Sequence, residues 1–322
     1  MSSSENFFRK GSDQQQTTPV VDEQETFRID LDTLGENEII NIFDEFIKEK
    51  RQIVIPIGFP AAGKSLFLSS LMYYAERNSD KKWNGNSLSA YPFEQGNLSR
   101  DTMIKYFDDK AAYPVTASGT LDLIGINLKP SSNKLPELKL AFVDLAGEDL
   151  RNFRADKRNN LNPKITAIFK ACRLTKPIFC LITPYDSRLG HAEENSLFAN
   201  FLSYISEDKN GFNPLYQQAK YIAVVSQWDK NINAKKEDAE SYIKSHRPAL
   251  HTEIEGRDKH QFAFGEYSVG VLEDTRDRNG QPVVLIRRIA NDYPHNFWCS
   301  LYKLATNKSL DSKSWLAKLF GY

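Results

Sequence analysis

The chain has 322 residues, of which 40% are hydrophobic and 12% aromatic, a composition typical of a globular protein with a sizeable core. Its 42 acidic and 42 basic residues cancel, which argues against a nucleic acid or an anionic membrane as partner. Three cysteines are too few for a disulfide framework, and no apolar run is long enough to span a membrane. A cytoplasmic protein without a transmembrane segment is predicted.

The chain begins with a polar region that is followed by one amphipathic segment. Residues 1–35 are rich in Ser, Gln, Thr and Glu, so this range is predicted to be a flexible tail. Residues 36–51 are predicted to form an amphipathic helix that packs against the next domain. The apolar positions that recur there at helical spacing are Ile39, Ile42, Phe43, Phe46 and Ile47.

A phosphate-binding loop is predicted directly after this helix. The β-branched run from Ile53 to Ile57 indicates a buried strand, and the Leu-rich stretch after Ser65 indicates a helix. The loop between them matches the pattern G-x-x-x-x-G-K-[ST]. Its backbone N–H groups and the helix N-terminus can surround phosphates, with the lysine on the outer phosphates and the serine on Mg²⁺. The predicted nucleotide-binding residues of this loop are Gly58, Ala61, Ala62, Gly63, Lys64, Ser65 and Leu66.

The remaining segments predict an α/β domain over residues 52–300. Residues 79–119 form a polar insertion with one helix, and the strands "TLDLIGINL" and "LKLAFVDL" follow, joined by a short turn that favours antiparallel pairing. Strands and helices then alternate, which predicts a three-layer α/β/α sandwich: a mostly parallel sheet with one antiparallel edge hairpin. The later strands are predicted at 176–184, 220–229 and 262–272, and the helices at about 101–110, 162–173, 194–206 and 236–248.

The last segment, residues 301–322, is predicted to be a C-terminal amphipathic helix. Its apolar positions are Trp315, Leu316, Leu319 and Phe320. Docking on the sheet is the favoured interpretation. Contact with a partner, and peripheral contact with a membrane through residues 310–322, are the alternatives.

Three further motifs carry chemistry. Asp144 ends an apolar strand, where a carboxylate can hold Mg²⁺ through a water, and Gly147 offers a backbone N–H to a γ-phosphate without a Cβ in the way. Asp229 follows another buried strand, and its carboxylate can accept hydrogen bonds from the N1–H and 2-amino group of guanine. At Ser268 and Val269 a turn can place a backbone N–H on the base carbonyl.

These motifs, in this order, resemble a Ras-like P-loop GTPase of the translation-factor-related class, over roughly residues 52–275. The long insertion, the string "DLAGED" and the ending "SVG" are similar to bacterial double-GTPase and YcjX-like proteins. The resemblance implies a switch for protein partners: GTP and Mg²⁺ order two loops, and hydrolysis to GDP releases them. The loops implied as the partner surface are residues 90–119 and 147–160.

The resemblance also implies residues that assist hydrolysis beside Lys64 and Gly147. A loop threonine should close over Mg²⁺, and Thr116 is the first choice, with Thr120 as the alternative. Glu148 stands where many members have a water-orienting glutamine, and a carboxylate there is repelled by phosphates unless it is protonated or turned away. Slow intrinsic hydrolysis is therefore predicted. Arg151 and Arg154 are candidate arginine fingers, although a surface role is favoured for each.

The base-reading motif departs from the class. Ser226 and Gln227 stand where the class has Asn or Thr and then Lys. The alkyl stem of the lysine, which packs on the base, is therefore lost, and the stem of Gln227 can replace it only in part. Guanine is the predicted base, and an ATP-using ATPase or kinase stays open as an alternative. A structural subunit that holds nucleotide with little turnover is the other alternative.

Overall fold

A computed structural model of the protein describes residues 28–77, 83–87, 94–130, 132–153, 161–172, 175–206, 217–234, 236–276 and 282–310. The strands are β1 (Ile29–Asp30), β2 (Gln52–Ile57), β3 (Trp83–Ser87), β4 (Thr120–Pro130), β5 (Leu138–Leu145), β6 (Ile178–Pro184), β7 (Lys220–Ser226), β8 (Phe262–Glu266), β9 (Gly270–Arg276) and β10 (Pro282–Ile289). The helices are α1 (Glu36–Lys48), α2 (Lys64–Arg77), α3 (Glu94–Asp108), α4 (Gly147–Leu150), α5 (Pro163–Ala171), α6 (His191–Ser206), α7 (Ala239–His246), α8 (Pro248–Glu255) and α9 (Asp292–Thr306).

One sheet organises the domain, in the strand order β1-β4-β5-β2-β6-β7-β8. β2 pairs in parallel with β5 and β6, and the parallel pairing continues through β7 to β8. The carboxyl ends of these strands therefore meet at one edge of the sheet, where ligands bind in open α/β sheets.

Two hydrophobic cores cover the two faces of this sheet because successive side chains of a strand point to opposite faces. On β2, Ile53 and Ile55 belong to the core that contains helices α1, α5, α6, α7 and α8. Val54 belongs to the core that contains α2, α3 and α9. The predicted three-layer α/β/α sandwich is confirmed, and it is the fold of a P-loop nucleoside triphosphatase.

The antiparallel edge is confirmed at the β4–β5 hairpin and is wider than predicted. β4 is 11 residues long, and its outer side pairs with β1 near its start and with β3 near its end, both antiparallel. The strand predicted over 262–272 is in fact two strands. β8 ends at Glu266, and β9 begins at Gly270, whose φ of +124° turns the chain into a separate hairpin with β10.

The chain ends differ from the predicted segments. Within the predicted tail, residues 29–33 form β1 and a 3₁₀ turn, in which Leu31 is completely buried. Helix α1 ends at Lys48, close to the predicted end. Helix α9 crosses the predicted boundary between residues 300 and 301, and Leu301 is buried in the core. The apolar positions predicted for the last helix, residues 315–320, lie outside the described residues.

Among the described residues, no helix combines the length and apolar character needed to cross a membrane.

Candidate nucleotide-binding site

The phosphate loop connects the end of β2 to the start of α2, as predicted. Gly58 is enclosed: a Cβ on it would lie 2.9 Å from Cγ of Lys64 and 3.1 Å from the carbonyl oxygen of Ile182. Ala61 and Gly63 both have positive φ, at +66° and +80°, which turns the chain toward the helix. The loop continues into the first turn of α2 at Lys64, where backbone N–H groups have no partner within the helix.

A buried ion pair lies beside this loop. The Nζ of Lys64 is 3.3 Å from Oδ1 of Asp144, and the two side chains are 7% and 0% exposed. Asp144 Oδ1 accepts no hydrogen bond from any residue in the described part of the chain. The Lys64 ammonium compensates the charge of this oxygen, and Oδ1 keeps the capacity to accept a further hydrogen bond.

Two hydroxyl groups complete this cluster. Thr116 donates a hydrogen bond of 2.9 Å from Oγ1 to Oδ2 of Asp144, and Ser65 Oγ lies 3.4 Å from the same threonine oxygen. Both residues are buried. Thr120, the alternative, bonds instead to the carbonyl of Ala117 at the turn before β4. The structure therefore brings Thr116, and not Thr120, to Ser65 and Asp144.

This donor set fits Mg²⁺. The cation prefers oxygen ligands and keeps several waters, so one carboxylate with one or two hydroxyl groups beside a phosphate chain is a suitable site. Ser65, Thr116 and Asp144 provide those oxygens within one buried cluster. Oδ1 of Asp144, which pairs with the Lys64 ammonium, belongs to the same cluster.

Gly147 lies against the phosphate loop. A Cβ on Gly147 would be 3.0 Å from the nitrogen of Pro60 and 3.2 Å from the carbonyl oxygen of Gly58, so only glycine fits without a shift of backbone. Its neighbour Glu148 points away: the side chain is 55% exposed and pairs with Arg151 at 3.2 Å. Arg154 lies outside the described residues.

Sequence reasoning missed Asp149, which joins two loops of the site. Its carboxylate is buried and accepts hydrogen bonds from the Ser118 hydroxyl and from the backbone N–H of Gly119 at 2.9 Å. These two residues follow Thr116 in the loop before β4. The signal was present, since Asp149 belongs to the string "DLAGED", but only the fold shows which segment it meets.

A second missed carboxylate, Asp122, lies directly across the hairpin from Asp144. It is fully buried and pairs with Arg28 at 3.0 Å. Burial, and then the charge of Asp144, raise the pKa of Asp122 to about 6, while Arg28 opposes the shift. The Arg28 guanidinium therefore favours the ionised form of this carboxyl group, whereas burial disfavours it. An Asp within the apolar strand "TLDLIGINL" was the available signal.

The base-reading segment is tied to the phosphate loop. Ser226 donates a hydrogen bond of 2.8 Å to the carbonyl of Ala62, and Gln227 donates one of 3.3 Å to the carbonyl of Ala61. Gln227 has a φ of +57°, so the chain reverses here at the end of β7. The first two residues of the motif therefore fix its position relative to the loop between β2 and α2, although neither matches the class.

Asp229 is exposed, and it is oriented by the second predicted turn. The Ser268 hydroxyl, which is buried, donates a hydrogen bond of 2.6 Å to Oδ1 of Asp229. Ser268 Oγ also accepts from the N–H of Gly270 at 3.1 Å. Val269 packs against the core, and its carbonyl accepts from Ala290. The side chain of Ser268 therefore makes contacts that the sequence did not predict, while the predicted contact of its turn with a base stays a prediction.

No protein-family model and no curated protein matches the chain. Among solved structures it is similar to Toc33 from Arabidopsis thaliana, a dimerization-deficient mutant, with 9% identity, a TM-score of 0.39 and coverage of 87% of this chain and 96% of that one. It is also similar to the S. cerevisiae Ski7 GTPase-like domain bound to GDP and inorganic phosphate, with 13% identity, a TM-score of 0.37 and coverage of 82% and 53%. The chain thus spans about half of the Ski7 chain.

A third similar structure is the signal recognition particle receptor SRb-GTP/SRX complex from Chaetomium thermophilum, with 12% identity, a TM-score of 0.33 and coverage of 70% of this chain and 93% of that one. Likenesses at these TM-scores carry no argument about this chain. Its assignment as a P-loop fold rests on its own strand order, on the loop between β2 and α2, and on the two cores that enclose the sheet.

Proposed function

We propose that the protein binds GTP with Mg²⁺, hydrolyses it to GDP, and acts as a nucleotide-dependent switch for protein partners. The observation that carries this proposal is the buried cluster of Lys64, Ser65, Thr116 and Asp144 at the end of the phosphate loop. An ammonium, two hydroxyls and a carboxylate in this arrangement suit a phosphate chain and its cation.

In this proposal the chain binds the nucleotide at three places. The N–H groups of residues 58–66 surround the phosphates, and Lys64 leaves Asp144 to pair with the outer phosphate oxygens. The Gly147 N–H donates to the γ-phosphate, which its close approach to the phosphate loop supports. The Asp229 carboxylate, oriented by Ser268, accepts hydrogen bonds from guanine.

Ser65 and Thr116 would hold Mg²⁺ directly, and Asp144 would hold one of its waters. The cation, when bound, neutralises charge that develops on the β- and γ-phosphate oxygens. Asp144 has two tasks in this scheme. Its Oδ2 accepts the hydrogen bond that orients Thr116, while its Oδ1, which pairs with Lys64 in the structure, is released when Lys64 pairs with the phosphates.

Slow intrinsic hydrolysis is part of the proposal. Glu148 pairs with Arg151 and is largely exposed, so in this arrangement it does not face the phosphates. Hydrolysis then lacks a side chain that orients the attacking water, and a partner that supplies or repositions one would accelerate it. Residues 90–119 and 147–160 are the proposed partner surface, because they contain Thr116 and Gly147. Within them, Val115 exposes 81% of its surface, which supports a contact role.

The experiment that tests the proposed function is a nucleotide titration of the full chain with GTP, GDP and ATP, with and without Mg²⁺. We expect GTP and GDP to bind, ATP to fail to displace them, and Mg²⁺ to tighten GTP binding. Single-turnover hydrolysis of bound GTP should be slow in the absence of a partner.

Other outcomes would contradict parts of the proposal. ATP binding equal to or tighter than GTP binding would favour an ATPase or kinase. Tight GTP binding with no hydrolysis, even with partners, would favour a structural subunit that holds nucleotide. The absence of any binding would reject the nucleotide site.

The choice between the two threonines gives a separate prediction. Thr116→Ala removes a hydroxyl that bonds to Asp144, so the Mg²⁺-dependent tightening of GTP binding should fall about tenfold, equivalent to about 1.4 kcal/mol. Thr120→Ala is the matched control, because its hydroxyl bonds only to the turn at Ala117 in the described structure. Equal losses in the two variants, measured by GTP titration across Mg²⁺ concentrations, would reject the assignment.

A further inference from the structure

The segment that precedes helix α1 makes hydrogen bonds to the backbone of the loop that contains Thr116, residues 113–119. Arg28 donates hydrogen bonds from Nη1 to the carbonyl of Val115 at 2.8 Å and from Nη2 to the carbonyl of Pro114 at 2.6 Å. These are the two residues directly before Thr116, so Arg28 fixes the backbone from which the threonine hydroxyl projects.

Arg28 is itself anchored on the strand pair that carries Asp144. Its Nε donates a hydrogen bond of 3.0 Å to Oδ2 of Asp122, and its guanidinium lies 5.1 Å from the centre of the Tyr113 ring. Ser99 of helix α3 donates to the other oxygen of Asp122 at 3.3 Å. All three guanidinium nitrogens are therefore used, and the anchor is rigid because Asp122 is fully buried.

The register of the hairpin connects this anchor to the proposed metal site. Asp122 on β4 is directly opposite Asp144 on β5. Arg28 therefore connects Asp122, which is opposite Asp144, to the backbone carbonyls directly before Thr116. The hydroxyl of Thr116 in turn donates a hydrogen bond to Asp144. The loop backbone is therefore tied to the β4–β5 hairpin on both sides, through Arg28 to Asp122 and through Thr116 to Asp144.

We propose that Arg28 is a positioning residue that holds Thr116 beside Ser65 and Asp144 for Mg²⁺ binding. The inference rests on the proposed function and adds a residue from outside the P-loop motifs. A guanidinium is needed, because its planar fork bonds two carbonyls and a carboxylate together, whereas an ammonium is a point charge on a flexible stem.

A simpler explanation is that Arg28 only docks the N-terminal segment on the domain. Other contacts dock the same segment without touching Pro114 or Val115. Leu31 is buried and its N–H donates to Gly119, and Lys164 of helix α5 donates to the carbonyl of Leu34. Lys164→Ala therefore weakens docking and leaves the Arg28 contacts in place, which makes it the matched control.

The first test measures release of a fluorescent, non-hydrolysable GTP analogue from the full-length protein over a range of Mg²⁺ concentrations. In Arg28→Ala the Mg²⁺ concentration that gives half-maximal slowing of release should rise about tenfold, and affinity without Mg²⁺ should stay within about twofold. Arg28→Lys should show most of the same rise in Mg²⁺ concentration, because an ammonium cannot bond two carbonyls and a carboxylate at once as the planar guanidinium does. Lys164→Ala should behave as wild type.

The second test needs neither nucleotide nor metal. Amide hydrogen exchange of a peptide that covers residues 113–120 should be about tenfold faster in Arg28→Ala than in wild type, and unchanged in Lys164→Ala. Should Arg28→Ala fail to fold, Arg28→Lys carries both tests, with smaller shifts in the same direction.

Two results would overturn the inference: an unchanged Mg²⁺ dependence in the Arg28 variants, or equal shifts in Lys164→Ala, which would reduce Arg28 to a docking role. A wild-type protein that binds no nucleotide would instead reject the proposed function. The exchange experiment would still report whether Arg28 holds the loop, so the two failures are distinguishable.

Discussion

Lys64→Ala should lower the affinity for GTP about 100-fold, because the variant loses charge-assisted hydrogen bonds to the phosphates that are worth about 1.5–3 kcal/mol each. It should also destabilise the fold. Asp144 is fully buried, and Lys64 provides the cation next to it. Removal of one partner of a buried pair costs about 3–5 kcal/mol, since the remaining charge is left uncompensated. Nucleotide titration and chemical denaturation measure the two effects.

Two controls separate these effects. The double variant Lys64→Ala with Asp144→Asn should recover stability, because no buried charge is left alone, and should still fail to bind GTP. Lys220→Ala removes a half-buried lysine from the first residue of β7, at the end of the sheet away from the site, and GTP affinity should not change. Wild-type affinity in Lys64→Ala would contradict the assignment of the phosphate loop.

Asp229→Asn should lower GTP affinity about 100-fold or more. A site built to hydrogen-bond a ligand group binds that ligand far more weakly when its donors and acceptors no longer match those of the ligand. The carboxylate accepts from both N–H donors of guanine, whereas the carboxamide presents one acceptor and one donor. Xanthine carries a carbonyl in place of the 2-amino group, so the variant should prefer xanthosine triphosphate. Competition between the two nucleotides measures this change.

Ser268→Ala is the matched control for this prediction. It removes the hydroxyl that orients Asp229 and leaves the carboxylate in place. GTP affinity should fall about fivefold to tenfold, equivalent to about 1–1.4 kcal/mol, without any gain for the xanthine nucleotide. An Asp229→Asn variant that keeps guanine preference would show that the base is read elsewhere.

The strand, loop and helix around Gly58 and Gly63 were predictable because their geometry is local. A buried strand, two glycines and a helix start lie within a short stretch, and each is set by neighbouring residues. The structure confirms the strand and the helix and explains Gly58 by the close approach of Lys64 and Ile182. The β4–β5 hairpin was predictable for the same reason, since a short polar turn joins two alternating strands.

The antiparallel extensions were not predictable. β1 lies in a polar range with few apolar residues, and it pairs with β4 only because that strand offers an open edge. The β9–β10 hairpin was missed because "FAFGEYSVGVL" reads as one continuous apolar run. The break at Gly270 depends on the approach of the Arg288 carbonyl, to which a Cβ would be 1.7 Å distant.

By itself, the sequence determined the layered fold and the order of the motifs along the chain, because hydrophobic periodicity and local turn chemistry depend on near neighbours. Tertiary structure decided which polar groups meet. Thr116 rather than Thr120 reaches Asp144, Asp149 joins the loop after Thr116, and Arg28 spans 94 positions to bond Asp122. Such contacts depend on the register of the hairpin and on the docking of the segment before α1, and neither is encoded in the spacing of the residues.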